Sequence, residues 1–156
     1  MHNSVQKYKD IISSIDRKIE EQKIQLTPKV IAVSKTFKLE SILPLIEYGH
    51  LDYGENKVQE AIDKWSAMKL KNTDIKLHLI GKLQTNKVRH AIKIFDYIHS
   101  LDSTKLAKKI AEEQNKQNKN IKLFIQVNIG NEEQKSGVKI DQIDDLIIFS
   151  KKLNLN

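Results

Sequence analysis

Residues 30–36 read VIAVSKT, and this stretch predicts the first strand of a parallel α/β sheet. Its four apolar residues form an uninterrupted run, which is typical of a strand buried on both faces. The run leads into Lys35, which lies between two hydroxyl residues. Because α/β proteins place their chemistry beyond the carboxyl ends of strands, Lys35 is a candidate for attacking an aldehyde to form a Schiff base. The alternative is that Lys35 is an ordinary solvated lysine.

Predicted strands and helices alternate along the rest of the chain. The strands begin near residues 30, 51, 77, 97 and 122, so each interval of 20 to 26 residues holds one strand and one helix. This rhythm is typical of repeated βα units with a parallel sheet. Short units without a glycine-rich first turn favour a barrel over an open doubly wound sheet. A closed barrel needs eight units in about 250 residues, so five units predict either an open sheet or part of a barrel.

Apolar residues between the strands recur at spacings of three and four, which predicts amphipathic helices. In the helix predicted over 39–48, Pro44 is a mismatch and Gly49 is the expected stop. An opening helix carries its apolar residues between positions 5 and 19. The other predicted helices have apolar faces at 58–65, 88–95, 106–111 and 140–147, and the predicted strands are 30–34, 51–54, 77–80, 97–100 and 123–128.

The composition predicts one globular domain over residues 1–156, with 39% hydrophobic and 30% charged residues. The net charge of +7 raises the hypothesis of a nucleic-acid-binding protein. However, the lysines are spread along the chain and only Arg17 and Arg89 are arginines, so no specific nucleic-acid partner is expected. No apolar stretch is long enough to span a membrane and no signal peptide is evident, so a cytoplasmic location without a membrane partner is expected.

The residues that bind metals in proteins are sparse or badly spaced in this chain. It has no cysteine, which excludes a disulfide framework and a thiolate metal site. The five histidines show no paired ligand spacing and no acidic pair accompanies them. We therefore predict no metal site.

Six short motifs follow one another along the chain. They are VSKT at 33–36, YGENKVQE at 53–60, HLIGKLQTNK at 78–87, HSLDS at 99–103, QVNI at 126–129 and EQKSG at 133–137. With these motifs the chain resembles the pyridoxal phosphate homeostasis protein family from about residue 5 to its end. The resemblance implies a (β/α)8 TIM barrel like the alanine racemase N-terminal domain. Because the sequence supplies about five βα units, we expect a single PLP-binding barrel domain that is truncated, with its C-terminal strands absent.

The resemblance implies a non-catalytic protein that binds pyridoxal 5'-phosphate (PLP), the vitamin B6 cofactor, and takes part in intracellular PLP homeostasis. By match of motif, Lys35 is the lysine that holds the cofactor as a Schiff base. The racemase-like enzymes draw a second base from another domain, so a carrier rather than an enzyme is expected. PLP-dependent apoenzymes are the expected partners, and the exposed edges of a partial sheet would permit self-association.

Asn56 and His78 are the other two cofactor-binding candidates. Asn56 opens a predicted helix with Gln59 three residues on, which is a capping arrangement. The resemblance also implies that Asn56 lies near the cofactor ring. Alternation along the third strand turns His78 away from the face of its neighbours, either into the barrel beneath the cofactor or into a hydrogen-bonded core position.

Several other polar residues follow predicted strands. Lys82 and Lys87 would form a basic rim or remain solvated, and Lys135 is a candidate pocket lysine. Ser100 and Asn128 would either reach the pocket or cap turns. Where many relatives carry a second lysine, this chain has Phe37.

The family's phosphate cradle, and the arginine that faces the pyridine nitrogen, belong to later strands. The chain is therefore expected to keep the covalent anchor but to lack most of the anion site. A Schiff-base barrel enzyme, of the amino-acid racemase or aldolase type, remains the alternative function.

Overall fold

The computed structural model describes residues 2–130, 132 and 134–156, and a five-stranded parallel sheet lies at the centre of this part of the chain. The sixth motif begins at Glu133, which lies outside the described residues. The strands are β1 (Ala32–Val33), β2 (Asp52–Glu55), β3 (Lys76–Leu79), β4 (Tyr97–Leu101) and β5 (Lys122–Ile125). The helices are α1 (Asn3–Gln22), α2 (Leu39–Glu47), α3 (Val58–Lys71), α4 (Val88–Ile94), α5 (Thr104–Gln117) and α6 (Ile143–Lys152), with short 3-10 turns at Thr85–Lys87 and Ile140–Gln142.

The five strands lie side by side in the order in which they occur along the chain, and every neighbouring pair is parallel. Successive helices also pack on one another, α3 on α4, α4 on α5 and α5 on α6. A doubly wound sheet would reverse its strand order at a switch point. The continuous order is instead that of a βα barrel, which confirms the α/β prediction and the barrel-type architecture.

The side of the sheet that faces the helices forms the core. Tyr53, Leu77 and Ile98 are fully buried there, because alternate strand residues point to the same side. The helices contribute apolar side chains at spacings of three and four, as the sequence predicts. Fully or almost fully buried helix residues include Trp65, Val88, Ala91, Ile92, Leu106, Ala107 and Ile110.

We call the opposite side of the sheet the inner face, and define it by Val33, Gly54, His78, Tyr97 and Phe124. The strand register aligns the first four of these residues across β1 to β4. No helix of the described residues covers this side, so Val33 and Phe124 remain 48% and 50% exposed. The prediction that the apolar run at 30–33 is buried on both faces is therefore wrong at Val33.

The first and fifth strands are shorter than predicted, and Pro44 does not interrupt the second helix. The first strand is limited to Ala32–Val33, because β1 is an edge strand that pairs only with β2. Helix α2 accommodates Pro44 inside its length and still buries Ile42 and Leu45. The helix ends as predicted before Gly49, whose φ of +100° takes the left-handed conformation that favours glycine.

Helix α1 is the longest helix of the described residues, with 20 residues, yet only Val5 on it is buried. Ile11 on this helix, and Ile24 and Leu26 after it, are at least 43% exposed. None of the helices in the described part of the chain has the length and apolar character needed to cross a membrane.

Candidate functional site

Lys35 lies in a tight turn directly after β1, at the carboxyl end of the sheet where the sequence places it. The turn is closed by the Phe37 amide, which donates to the Ser34 carbonyl at 3.2 Å. Thr36 adopts a left-handed φ of 68°, which is uncommon for a residue with a side chain. Lys35 itself is exposed and makes no hydrogen bond or ion pair with the described residues. Its amine is therefore accessible to a ligand from solvent.

A buried carboxylate lies beside this turn. Glu55, at the carboxyl end of β2, is fully buried, and its Oε1 accepts three hydrogen bonds. The donors are Ser34 Oγ at 2.7 Å, Lys64 Nζ at 2.8 Å and Trp65 Nε1 at 2.9 Å. We call these four residues the Glu55 cluster. A buried charge is tolerated only when it is paired and hydrogen-bonded, so α3 supplies the groups that make this carboxylate stable.

The loop after β2 carries Asn56, whose side chain is half-buried. Helix α3 begins at Val58 with Lys57 at the N-cap, and no side chain makes a cap hydrogen bond. The amide of Asn56 likewise makes no hydrogen bond with the described residues. Capping therefore does not use this amide, which stays available for another partner.

His78 lies on the inner face, as alternation predicts, and is also a hydrogen-bonded buried histidine. Its side chain is 3% exposed, and its Nε2 lies 3.0 Å from Asp52 Oδ1. Its Nδ1 lies 2.9 Å from His99 Nε2, and its ring stacks on Tyr97 with centroids 4.2 Å apart. Asp52 also pairs with Lys29 at 3.2 Å. His78 therefore occupies a hydrogen-bonded position on the inner face, and a place beneath the cofactor stays a prediction.

Burial sets the charge state of these histidines. Loss of hydration lowers the pKa of His78 below 6.5, although hydrogen bonding to Asp52 opposes this effect. Burial also lowers the pKa of His99, and the neighbouring His78 lowers it further. Neutral rings satisfy this geometry if His99 donates from Nε2 to His78 and His78 donates from Nε2 to Asp52.

We expect the free energy of unfolding to fall as the pH is lowered below 6.5. His50, His78 and His99 all have a lowered pKa in the folded protein, so the unfolded chain binds more protons. Their contribution is complete above 6.5 and is lost as the pH falls through the lowered folded values. Urea unfolding at a series of pH values between about 8 and 5 measures how the free energy of unfolding changes with pH.

A matched pair of variants assigns the pH dependence to the buried rings. His99→Gln should make the loss of stability at low pH smaller, because one buried titrating group is removed. His90→Gln makes the same chemical change at an exposed histidine and should leave the slope unchanged. A wild-type midpoint that stays constant or rises as the pH falls would contradict the assignment.

A cavity of about 420 Å³ lies between the loops that follow β3 and β5. Lys82 and Lys135 contribute to its lining, and Lys135 pairs with Glu132. Asn128 is occupied in closing the loop, since its side chain bonds both the backbone N–H and the carbonyl of Glu132. Lys87 is exposed and does not line this cavity.

Ser100, the other strand-end residue singled out from the sequence, is buried within β4. Its hydroxyl has no hydrogen-bond partner among the described residues. It lies at the irregularity in the β4–β5 pairing, between Ile98 and Leu101. Ser100 therefore caps no turn.

Sequence reasoning missed the roles of Glu55, Asp52 and His99. A signal for Glu55 is its position in a strand whose Tyr53 lies on the core side, because alternation then buries the carboxylate. A buried carboxylate needs donors, and α3 provides Lys64 and Trp65. The partners of His78 are 26 and 21 residues away, so no local pattern reveals them.

Comparison with known proteins places this arrangement in a family. The family model described as alanine racemase, N-terminal domain, matches residues 12–155. The chain belongs to this family. The match covers all five strands and includes the Lys35 turn, the Glu55 cluster and the inner face.

Curated relatives within this alanine racemase N-terminal domain family are named pyridoxal phosphate homeostasis proteins, which confirms the resemblance inferred from the six motifs. The Haemophilus influenzae protein is 36% identical over 124 residues, which cover 80% of this chain and 52% of the relative. The Vibrio alginolyticus protein is 35% identical over 156 residues, covering 91% and 67%. The chain thus spans about half to two thirds of the length of these relatives.

Solved structures support the same fold. PipY of Synechococcus elongatus, solved with PLP bound, has a TM-score of 0.73 and 33% identity, covering 89% of this chain and 65% of PipY. The structure of PipY without PLP has the same TM-score and 36% identity, with 88% and 65% covered. Alanine racemase of Clostridium difficile has a TM-score of 0.63 at 14% identity, covering 93% of this chain and 37% of the enzyme, which shows a shared fold alone.

Proposed function

We propose that this chain is a non-catalytic PLP-binding protein that takes part in intracellular PLP homeostasis and holds the cofactor through Lys35. The main support is the exposed, unpaired amine of Lys35 at the carboxyl edge of a parallel sheet, among the residues that the structure describes. The edge is where barrels of this class bind ligands. The relative PipY, solved with PLP bound, supports the choice of ligand.

The residues near this edge fit the aldehyde end of the cofactor. When bound, PLP supplies an aldehyde that condenses with a primary amine, so that a carbon–nitrogen double bond replaces the carbonyl bond and water leaves. Lys35 provides the amine and must first release its proton. Asn56 offers an amide that can donate and accept hydrogen bonds. His78 has both ring nitrogens engaged, so we assign it to the floor of the site rather than to direct bonding.

The described residues offer fewer groups for binding the phosphate of PLP than for binding its aldehyde. A phosphate group is normally held by several backbone N–H groups or by arginine forks. Arg17 and Arg89, the two arginines, lie on α1 and α4, and Arg17 pairs with Glu21. We therefore propose that the isolated chain binds PLP weakly and that the covalent link through Lys35 supplies most of the affinity.

A carrier fits this site better than an enzyme. Amino-acid racemisation or transamination requires a general base placed at the reacting carbon. The carboxylate bonded to Ser34, the residue before Lys35, is Glu55, which is buried and accepts three hydrogen bonds. We further propose that the chain delivers PLP to PLP-dependent apoenzymes and that it self-associates through the sheet edges. The cytoplasmic location stays a prediction.

Lys35→Arg should abolish selective labelling of this site by PLP. Arginine keeps the positive charge but has no primary amine, so it cannot condense with the aldehyde. The protein is incubated with PLP and reduced with borohydride, and the modified peptides are identified by mass spectrometry. In the wild type, Lys35 should be the main labelled residue, whereas in the variant its peptide should carry no label.

Lys82→Arg is the matched control, because Lys82 is also exposed and follows a strand. It should leave the Lys35 label unchanged. Label spread evenly over the exposed lysines of the wild type would overturn the proposal. Turnover of an amino acid or a sugar phosphate would favour the racemase or aldolase alternative, and steeply salt-dependent RNA or DNA binding would favour the nucleic-acid alternative.

A further inference from the structure

Glu55 makes an uneven set of contacts for a fully buried carboxylate. All three donors converge on Oε1, and Oε2 has no hydrogen-bond partner among the described residues. Lys64, which supplies one of the three, is itself only 13% exposed at its side chain. The pair therefore gives up most of its hydration on both sides, and a pair of this kind contributes little stability beyond what apolar residues of similar volume would give. The presence of this pair beside the Lys35 turn therefore calls for a reason other than stability.

The contacts of the cluster concentrate on Ser34, the residue directly before Lys35. The Ser34 hydroxyl donates to Glu55 Oε1 at 2.7 Å, and the Ser34 carbonyl accepts from Lys64 Nζ at 2.8 Å. The Ser34 amide donates to the Gly54 carbonyl at 2.9 Å. Every polar group of Ser34 is thus bonded to β2 or α3, although Lys35 next to it is exposed.

We infer that Glu55, acting through Ser34 and Lys64, is a positioning residue that fixes the Lys35 amine for capture of the aldehyde. This inference rests on the proposed function and adds the residue that sets its geometry. Glu55 does not touch the ligand and moves no proton. It holds the backbone at the base of Lys35 so that the amine approaches from one direction.

The main chain around Lys35 has few other contacts that would hold it in place. β1 pairs on one side only and is two residues long, so few sheet hydrogen bonds fix the turn that follows it. Thr36 in this turn has a left-handed φ of 68°. Backbone conformations of this kind persist only when surrounding contacts hold them. The Glu55 cluster supplies such contacts from the neighbouring strand and helix.

Glu55→Gln tests the inference with little change of shape. Glutamine can keep its oxygen at the Oε1 position and accept from Ser34 and Trp65, but the attraction for Lys64 is lost. We expect labelling of Lys35 by PLP and borohydride to slow by about tenfold, since misplacement by about 1 Å costs up to a hundredfold. Labelling of Lys82 in the same molecules should keep its wild-type rate and serves as the internal standard.

Two further variants keep the test decisive. Glu55→Gln combined with Lys64→Met removes the charged pair altogether, so no buried charge is left alone if the single variant fails to fold. Asp96→Asn perturbs a comparable pair, Lys69–Asp96, at the opposite end of the strands and should leave the Lys35 to Lys82 labelling ratio unchanged. Urea midpoints confirm that each labelled sample is folded.

The outcomes separate this inference from the proposed function. If wild-type Lys35 is not labelled selectively, the proposed function fails. If wild-type Lys35 is labelled selectively but the folded Glu55 variants keep the wild-type ratio, the positioning role alone is wrong. A lower ratio in the Glu55 variants, with an unchanged ratio in Asp96→Asn, supports it.

Discussion

Trp65→Ala should lower the free energy of unfolding by about 3–5 kcal/mol, the usual range for removal of a large buried aromatic side chain. Trp65 is fully buried on α3, and its ring centroid lies 4.8 Å from that of Tyr53 on β2. Alanine would leave a cavity between this helix and the sheet and would remove one donor from Glu55. Because domains of this size are stable by only about 5–15 kcal/mol, a large share of the stability would be lost.

The measurement is urea unfolding followed by circular dichroism, since Trp65 is the only tryptophan and its fluorescence disappears in the variant. Trp65→Phe should cost less, because phenylalanine restores most of the packing and only the Nε1 hydrogen bond to Glu55 is lost. Leu70→Ala on the same helix should change stability by no more than about 0.5 kcal/mol, because Leu70 is 85% exposed. A Trp65→Ala midpoint equal to that of Leu70→Ala would refute this account of the core.

Gly81→Ala should destabilise the protein by about 1–3 kcal/mol or more, as expected for a group forced into a packed site. A Cβ atom at this position would lie 2.2 Å from the carbonyl oxygen of Asn56. The obstacle is backbone and not a flexible side chain, so the loops after β2 and β3 would have to separate. The same movement would displace Asn56, and we therefore also expect weaker PLP binding.

Gly130→Ala is the matched control for this prediction. The nearest atoms to its Cβ would all belong to the side chain of Glu132, with Oε1 at 3.1 Å, and the end of a flexible side chain can move away at little cost. The added Cβ meets backbone atoms in Gly81→Ala but a side chain in Gly130→Ala. The unfolding midpoints of the two variants in urea therefore compare the cost of crowding the backbone with that of crowding a side chain. Equal midpoints for Gly81→Ala and the wild type would mean that the two loops are not held together as described.

The alternation of strands and helices and the core-facing side of the helices were predictable, because both follow from local periodicity. The buried positions Val88, Ala91 and Ile92 recur at spacings of three and four. This spacing is a property of the local sequence and can be recognised without knowledge of the rest of the fold. The exposure of Val33 was not predictable. Its apolar neighbours indicate a two-sided strand, but exposure depends on which elements cover the inner face, and no local pattern reports that.

In the candidate site, too, the features set by local sequence were predictable and the contacts between separate elements were not. The place of Lys35 follows from its position after an apolar run, and the inner-face direction of His78 follows from alternation. The Glu55 cluster could not be predicted, because it joins Ser34 to Glu55 across 21 residues and Glu55 to Lys64 across nine. Hydrogen bonds between separate elements depend on how those elements pack, which a single sequence does not specify.

The strand order has a consequence for how the chain reaches its fold. Every pair of neighbouring strands in β1 to β5 is also consecutive in the chain. Each new strand therefore closes a loop of one βα unit onto the strand before it, and the entropy lost in closing a loop grows only slowly with its length. Such near-neighbour contacts favour rapid folding for a parallel sheet. Assembly can therefore proceed unit by unit as the polypeptide leaves the ribosome.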